Sequence, residues 1–189
     1  LSPSLESVNG ALAPRILAST ELVTLSTVLS IVLGVALGIY TAQRQYHWQD
    51  RVFSTLATFF LVIPSAVLAL MIVLIAIFVN DGTGFRIFYV TGLSSYSGNN
   101  LLLRVGDFLQ HIILPTISLT LLGMVSYHLT QRTYPLDEMH ADYVRTARSK
   151  GLTRKQAIRR HALRASLIPT GVNVAFSIAS VFTGAVITE

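Results

Sequence analysis

The sequence predicts an all-α integral membrane protein, a bundle of about four transmembrane helices, from three observations. Hydrophobic residues make up 52% of the 189 and charged residues only 12%, where a soluble domain carries about 25% charged. Mean hydropathy is +0.60. Counting His as neutral, the chain holds four uncharged runs, 22–43, 52–80, 108–131 and 165–188. At about 1.5 Å of rise per residue each run is long enough to cross a hydrocarbon core about 30 Å thick. The runs are near-continuous Leu, Ile, Val, Ala and Phe without period-2 alternation, which favours helices over barrel strands.

The charges orient these spans. The net charge is +5, and nine basic residues (Arg132, Arg145, Arg148, Lys150, Arg154, Lys155, Arg159, Arg160 and Arg164) fall between the third and fourth runs. A loop this short obeys the positive-inside rule, so 132–164 is expected in the cytoplasm. Alternation then puts 44–51 in the cytoplasm and both 1–21 and 81–107 outside. The longer outer loop is consistent with this, carrying only Arg86 and Arg104 against Asp81 and Asp107. There are no cysteines, so disulfides and thiolate metal sites are excluded. The chain opens at Leu1 in a polar segment without a signal-peptide pattern and stops at Glu189 as the fourth span emerges. The expectation is one transmembrane domain, 1–189, cut from a longer subunit with an earlier span.

Within the first span, Gly34 and Gly38 form a Gly-x-x-x-Gly pair that lets a neighbouring backbone approach, here expected within the bundle. In the second, 52–80 reads as one helix kinked at Pro64, and Pro115 and Pro169 act likewise nearer the ends of their spans. In the outer loop, turn residues flank an aromatic and β-branched stretch at 85–91, suiting a small hairpin or re-entrant cap. His111 and His128 are the histidines inside the runs. Both read as interfacial or hydrogen-bonded rather than catalytic. Ser126, Thr130 and Asn173 suit the wall of a polar pathway, although Ser and Thr also pack helices.

The basic insert at 137–164 has an internal order. Asp137 is placed to cap a helix starting near Glu138, with Asp137, Glu138 and Asp142 at its positive end and Arg145, Arg148 and Lys150 towards its negative end. Met139, Tyr143 and Ala147 recur every four residues as an apolar stripe. Gly151 supplies the left-handed stop, and Thr153 with Gln156 reads as a capping box opening a second helix. Three uses are open to such an element. DNA reading is disfavoured by the membrane tether at both ends, so no nucleic-acid partner is expected. Anionic membrane lipid would attract the basic residues between Arg154 and Arg164. A rigid helix with an apolar stripe fits a groove on another protein, and it alone accounts for the Gly151 stop with a new cap directly after it.

The motifs DYVRTARSKGL at 142–152 and RRHALRASLIP at 159–169 resemble the cytoplasmic signature of ATP-binding-cassette importer permeases, in particular the dipeptide/oligopeptide/nickel branch. The general signature has a Glu-Ala-Ala-x-x-x-Gly core. Here it stands as Arg145-Thr146-Ala147, then Arg148-Ser149-Lys150, then Gly151, so only the second alanine and the glycine match the general form. The Arg-Thr-Ala version, followed by His161-Ala162-Leu163-Arg164, is similar to the peptide branch specifically. The resemblance covers most of the chain: 25–50 is similar to the family's second span and its cytoplasmic turn, and 184–189 to the outer end of its fifth.

The resemblance implies a type I importer permease fold with six spans, four of them here, in a bacterial or archaeal cytoplasmic membrane. It implies that Asp142, Tyr143, Val144, Arg145, Thr146, Ala147, Arg148, Lys150 and Gly151 dock on an ATPase subunit as a coupling helix. In this scheme Tyr143, Val144 and Ala147 give apolar contact, Arg145 and Arg148 polar contact, and Gly151 sets the helix angle. The implied partners are ATPase subunits, a second permease subunit and an extracytoplasmic substrate-binding protein. ATP and Mg would be bound by the ATPase partners, with no cofactor in this chain and no enzymatic activity of its own. The implied cargo is di- or oligopeptide, the alternatives being nickel chelates, glutathione or another small polar solute.

An intramembrane enzyme lacks its chemistry here, since none of the four runs contains Asp or Glu and no His begins a His-Glu-x-x-His helix. A passive channel or scaffold subunit is compatible with the spans but leaves the insert without a role.

Overall fold

A computed structural model describes residues 4–85, 87–89 and 101–187, with side chains placed over 19–85, 87–89 and 106–180. The described residues are helical almost throughout: α1 (Ser4–Gln43), α2 (Trp48–Val62), α3 (Ser65–Thr83), α4 (Leu101–Glu138), α5 (Asp142–Ser149), α6 (Arg154–Ala157), a π-helical segment (Ile158–Ala162) and α7 (Leu163–Ile187). Four stretches among them are long and apolar enough to cross a membrane: Ser19–Gln43, Ser65–Thr83, Gly106–Glu138 and Arg154–Ser180. Large apolar side chains such as Val32, Phe59, Phe78, Ile168 and Phe176 lie on the outside. In lipid this costs nothing, so the interior is free to be lined with small and polar groups.

The α1–α4 seam is built that way. A Cβ placed on Gly34 would stand 2.6 Å from the Tyr127 Cβ, and one on Gly38 would stand 2.8 Å from the Gln131 Cβ. The Gly-x-x-x-Gly pair therefore admits α4 at backbone distance, as an intrabundle contact. The Ser30 hydroxyl sits 2.7 Å from the Ser26 carbonyl and 3.1 Å from the Thr120 carbonyl of α4.

The second run does not form one kinked helix. Ile63 (ψ 128°) and Pro64 (ψ 134°) are extended, dividing it into α2 and α3. The proline ring disfavours helical geometry in the residue before it and removes a donor, so the chain restarts after Pro64. Val67 N–H and Leu68 N–H then donate to the Pro64 carbonyl at 2.9 and 3.1 Å. Only α3 retains a span's length. Helix α2, ~22 Å long by its rise, buries Asp50 and Ala57 on one side.

Beyond α3, Gly84 (φ 71°) caps the helix, and the Asn80 side chain accepts from the Ile87 and Phe88 amides at 2.9 and 3.1 Å. The hairpin expected at 85–91 lies largely outside the described residues. The Tyr89 ring stacks on the His111 ring at 4.3 Å, and His111 is buried with Nδ1 2.7 Å from the Asp107 carbonyl. His111 is thus a hydrogen-bonded histidine, as its position suggested.

Candidate coupling site

At one end of the bundle, α4 continues through Pro115 and Pro135 to Glu138, further than its uncharged run. Asp137 and Glu138 therefore close α4 instead of opening the next helix, which corrects the expected cap. The chain turns at 139–141, and α5 starts from Ala141 (ψ 148°) without a side-chain cap. Asp142 is the one acidic residue in its first turn and Arg148 the basic residue in its last, which complements the helix dipole.

The end of α5 follows the pattern the sequence predicts. Gly151 has φ 92°. Its N–H donates to the Arg148 carbonyl at 3.0 Å, and Leu152 N–H to the Ala147 carbonyl at 3.3 Å. That pair of bonds is a Schellman motif, completed by apolar packing of Leu152 beside Ala147. The Thr153–Gln156 capping box also forms: Thr153 N–H donates to Gln156 Oε1 at 3.0 Å, and Gln156 N–H to Thr153 Oγ1 at 3.3 Å. Two helix ends are thus fixed within three residues, leaving little freedom in the corner.

What the sequence reading missed is the direction α5 faces. Val144 and Ala147 are 3% and 6% exposed and pack with Ala157 and Ala162, flanked by Met139, Leu152 and Ile158. Their apolar surface is used within the chain, where an outward apolar face was expected. Met139 lies in the turn before α5, and the stripe drawn through Met139, Tyr143 and Ala147 does not form one helix face. The π segment explains the packing. Ala157 and Ala162 are five residues apart, which an α-helix would turn to different faces but a π turn brings together; both are 0% exposed. The small residues at those two positions were the signal for it.

The outward face carries Asp142, Tyr143, Arg145, Thr146, Arg148 and Lys150, all exposed, with Gly151 also exposed at the stop. Arg145 lies 3.7 Å from the Asp142 carboxylate, both largely in solvent, a pair worth little energetically. The Tyr143 hydroxyl donates to the Glu138 carboxylate, linking α5 back to the end of α4. Partial burial of the hydroxyl, and then the Glu138 carboxylate beside it, push its pKa up to about 12, so the phenol stays protonated.

A second unpredicted feature anchors this end of the bundle. Arg132 on α4 grips Asp50 at the start of α2 with two bonds, Nε to Oδ1 at 2.6 Å and Nη2 to Oδ2 at 2.8 Å. Asp50 is 2% exposed and also accepts from the Tyr46 amide (3.0 Å) and the Ser54 hydroxyl (3.2 Å). The Arg132 guanidinium holds the Asp50 carboxyl below the usual carboxylate range, against the opposing effect of burial. Each residue sits just beyond an apolar run on the same predicted side of the membrane, and that was the available hint.

Ser126, Thr130 and Asn173, singled out for a pathway, come together with Ser177 and Ser180 around an open cavity of about 310 Å³ between α4 and α7. Tyr127 and Ser177 share a hydrogen bond of 2.5 Å, and the Asn173 amide donates to the Tyr134 hydroxyl at 3.1 Å. Deeper in, the Thr170 hydroxyl donates to Gln131 Oε1. His128 is fully buried beside α1, and neither ring nitrogen has a hydrogen-bond partner among the described residues. The hydrogen bond expected of it is therefore not formed among the described residues. No group of acidic, His or Cys residues among the described residues could hold a metal ion.

Residues 34–189, covering the α1–α4 seam, the corner and α7, match the family described as binding-protein-dependent transport system inner membrane component. The chain is 40% identical over 183 residues to the oligopeptide transport system permease protein OppB of Mycobacterium tuberculosis (strain ATCC 25618 / H37Rv), covering 96% of this chain and 56% of that protein. It is 30% identical over 186 residues to the OppB of Escherichia coli (strain K12), covering 97% and 55% respectively. To the dipeptide transport system permease protein DppB of Lactococcus lactis subsp. cremoris (strain MG1363) it is 29% identical over 178 residues, covering 94% and 53%. The chain thus spans about half the length of the curated relatives it matches. It is a multi-pass membrane protein and belongs to the family of binding-protein-dependent transport system inner membrane components.

Proposed function

We propose that the protein is the membrane-spanning subunit of an ATP-driven importer for di- or oligopeptides, with α5 as its coupling helix. The observation that carries this reading is α5 itself: a short helix locked by a Schellman motif and a capping box, its apolar side fixed to the chain and its polar side bare. A rigid corner transmits displacement, whereas a flexible basic loop would absorb it. Tyr143, Arg145 and Arg148 meet the ATPase subunit, while Val144 and Ala147 hold α5 to the π segment. The basic insert faces the cytoplasm, where ATP and Mg are bound by the ATPase partners.

Closure of two ATPase subunits on ATP draws two such corners together, and the spans above alternate between inward-open and outward-open states. A second permease subunit faces this one, and an extracytoplasmic binding protein delivers the cargo. Hydroxyls and an amide at Ser126, Thr130 and Asn173 suit a peptide backbone, which offers neutral donors and acceptors along its length. They form one wall of the path.

The test is ATP-dependent uptake of a labelled oligopeptide into proteoliposomes holding the full-length parent with its partner subunits. Arg145→Glu with Arg148→Glu is expected to cut uptake at least tenfold while the complex still inserts. Uptake at the unmodified rate would refute the coupling role.

A further inference from the structure

The turn joining α1 to α2 holds an unusual backbone. Tyr46 has φ 67°, the sole positive φ at a non-glycine residue among those described. For a bulky aromatic this conformation is strained and persists only when the surroundings impose it. Here they do: the Tyr46 N–H is held by Asp50 Oδ2, and that carboxylate is in turn clamped by Arg132. The result is a tyrosine 74% exposed, two residues from Trp48 at 69%. A strained turn that spends a buried ion pair on displaying an aromatic ring invites the question of what the ring meets.

Tyr46 borders an open cavity of about 830 Å³ whose lining also includes Arg154, Lys155 and Arg159. None of its lining residues is acidic. Among the described residues, none of the three cations has a carboxylate within ion-pair distance. The cavity lies where α1 ends and the last membrane-crossing stretch, Arg154–Ser180, begins. Tyr143, Arg145 and Arg148 take no part in its lining, so it is separate from the outward face of α5.

We propose that this cavity binds the phosphate headgroup of an anionic phospholipid of the cytoplasmic leaflet. The inference rests on the reading that the basic insert faces the cytoplasm. Three points favour lipid over an acidic protein surface. Unpaired cations at headgroup depth meet the leaflet in which anionic lipids concentrate. Tyr46 and Trp48 have the amphipathic rings that settle at a membrane interface. The floor contributed by Ala42, Met139 and Ile158 is apolar, suited to the start of the acyl chains. A lipid seated there touches both the α1–α2 turn and the base of the coupling corner, so its presence braces α5.

The experiment is native mass spectrometry of the complete transporter, full-length parent with partner subunits, titrated with phosphatidylglycerol or phosphatidylcholine. Replacing Arg154, Lys155 and Arg159 together by Gln is expected to weaken phosphatidylglycerol binding on the order of a hundredfold, from roughly fivefold per cation. Tyr46→Gly, which relieves the backbone strain and so guards against misfolding, is expected to assemble normally and to bind the lipid more weakly. Arg145→Gln with Arg148→Gln should leave lipid binding intact, which separates this site from the coupling face. Undiminished phosphatidylglycerol binding by the triple variant would overturn the proposal. So would equal binding of phosphatidylcholine, or loss of ATPase subunits from the triple variant with its lipid complement unchanged.

Discussion

Arg132 and Asp50 carry more of this end of the bundle than their positions in the sequence suggest. Removing the guanidinium would leave a buried carboxylate facing only an amide and a hydroxyl. Arg132→Met is therefore expected to cost about 2 kcal/mol, less than the ~3–5 kcal/mol of a fully enclosed pair because the arginine side chain keeps 23% exposure. Thermal unfolding of the full-length parent in detergent measures it. The pH dependence follows from the direction of the shift: a carboxyl held below its ordinary value stabilises the fold above the ordinary Asp range, near 3.9. That contribution is lost as pH falls through the depressed value. The unmodified protein should lose this increment on acidification, and Arg132→Met should show a flatter profile there. Single residues with a local rule were legible in the sequence: Gly151, Thr153 and Gln156 do what their types dictate. Asp50 and Arg132 were not paired because 82 residues separate them, and no local pattern states that two spans meet.

At the level of elements, the corner formed by α5, α6 and the π segment depends on Gly151. Its φ of 92° and exposed position mean that a side chain meets no neighbour but must accept a left-handed backbone. Gly151→Ala is expected to cost about 1–2 kcal/mol, read as increased hydrogen exchange at 150–153 and looser ATPase retention. Unchanged exchange would mean the corner is not set there. The helix–glycine–helix order was readable because caps are local chemistry. Which face of α5 turns inward was not, since Val144 and Ala147 have the same composition whether they meet a partner or their own chain. The small residues at Ala157 and Ala162, and the π turn that aligns them, decide it. Pro64 was readable as a disruption but not in degree: Ile63 and Pro64 both go extended, and one expected span becomes a short helix and a span.

Across the whole molecule, α1 and α4 form the central seam, and its glycines set how closely the helices approach. Gly38→Leu would drive a side chain into Gln131 and the His128 carbonyl. It is expected to destabilise the bundle by about 1–3 kcal/mol, seen as a lower melting temperature, with α5 itself unaltered. Fold class followed from the runs, because lipid admits only helices and closed barrels and continuous apolar runs without alternation suit helices. The spacing of Gly34 and Gly38 marked a close approach, and the structure shows its partner to be α4.

The central claim is that α5 couples this subunit to an ATPase through its outward polar face. The most direct measurement is co-purification of ATPase subunits with the full-length parent, comparing the unmodified protein with Arg145→Glu/Arg148→Glu. The account predicts that the unmodified protein retains the ATPase and that the charge reversal releases it without changing the parent's melting temperature. Equal retention by both would contradict it.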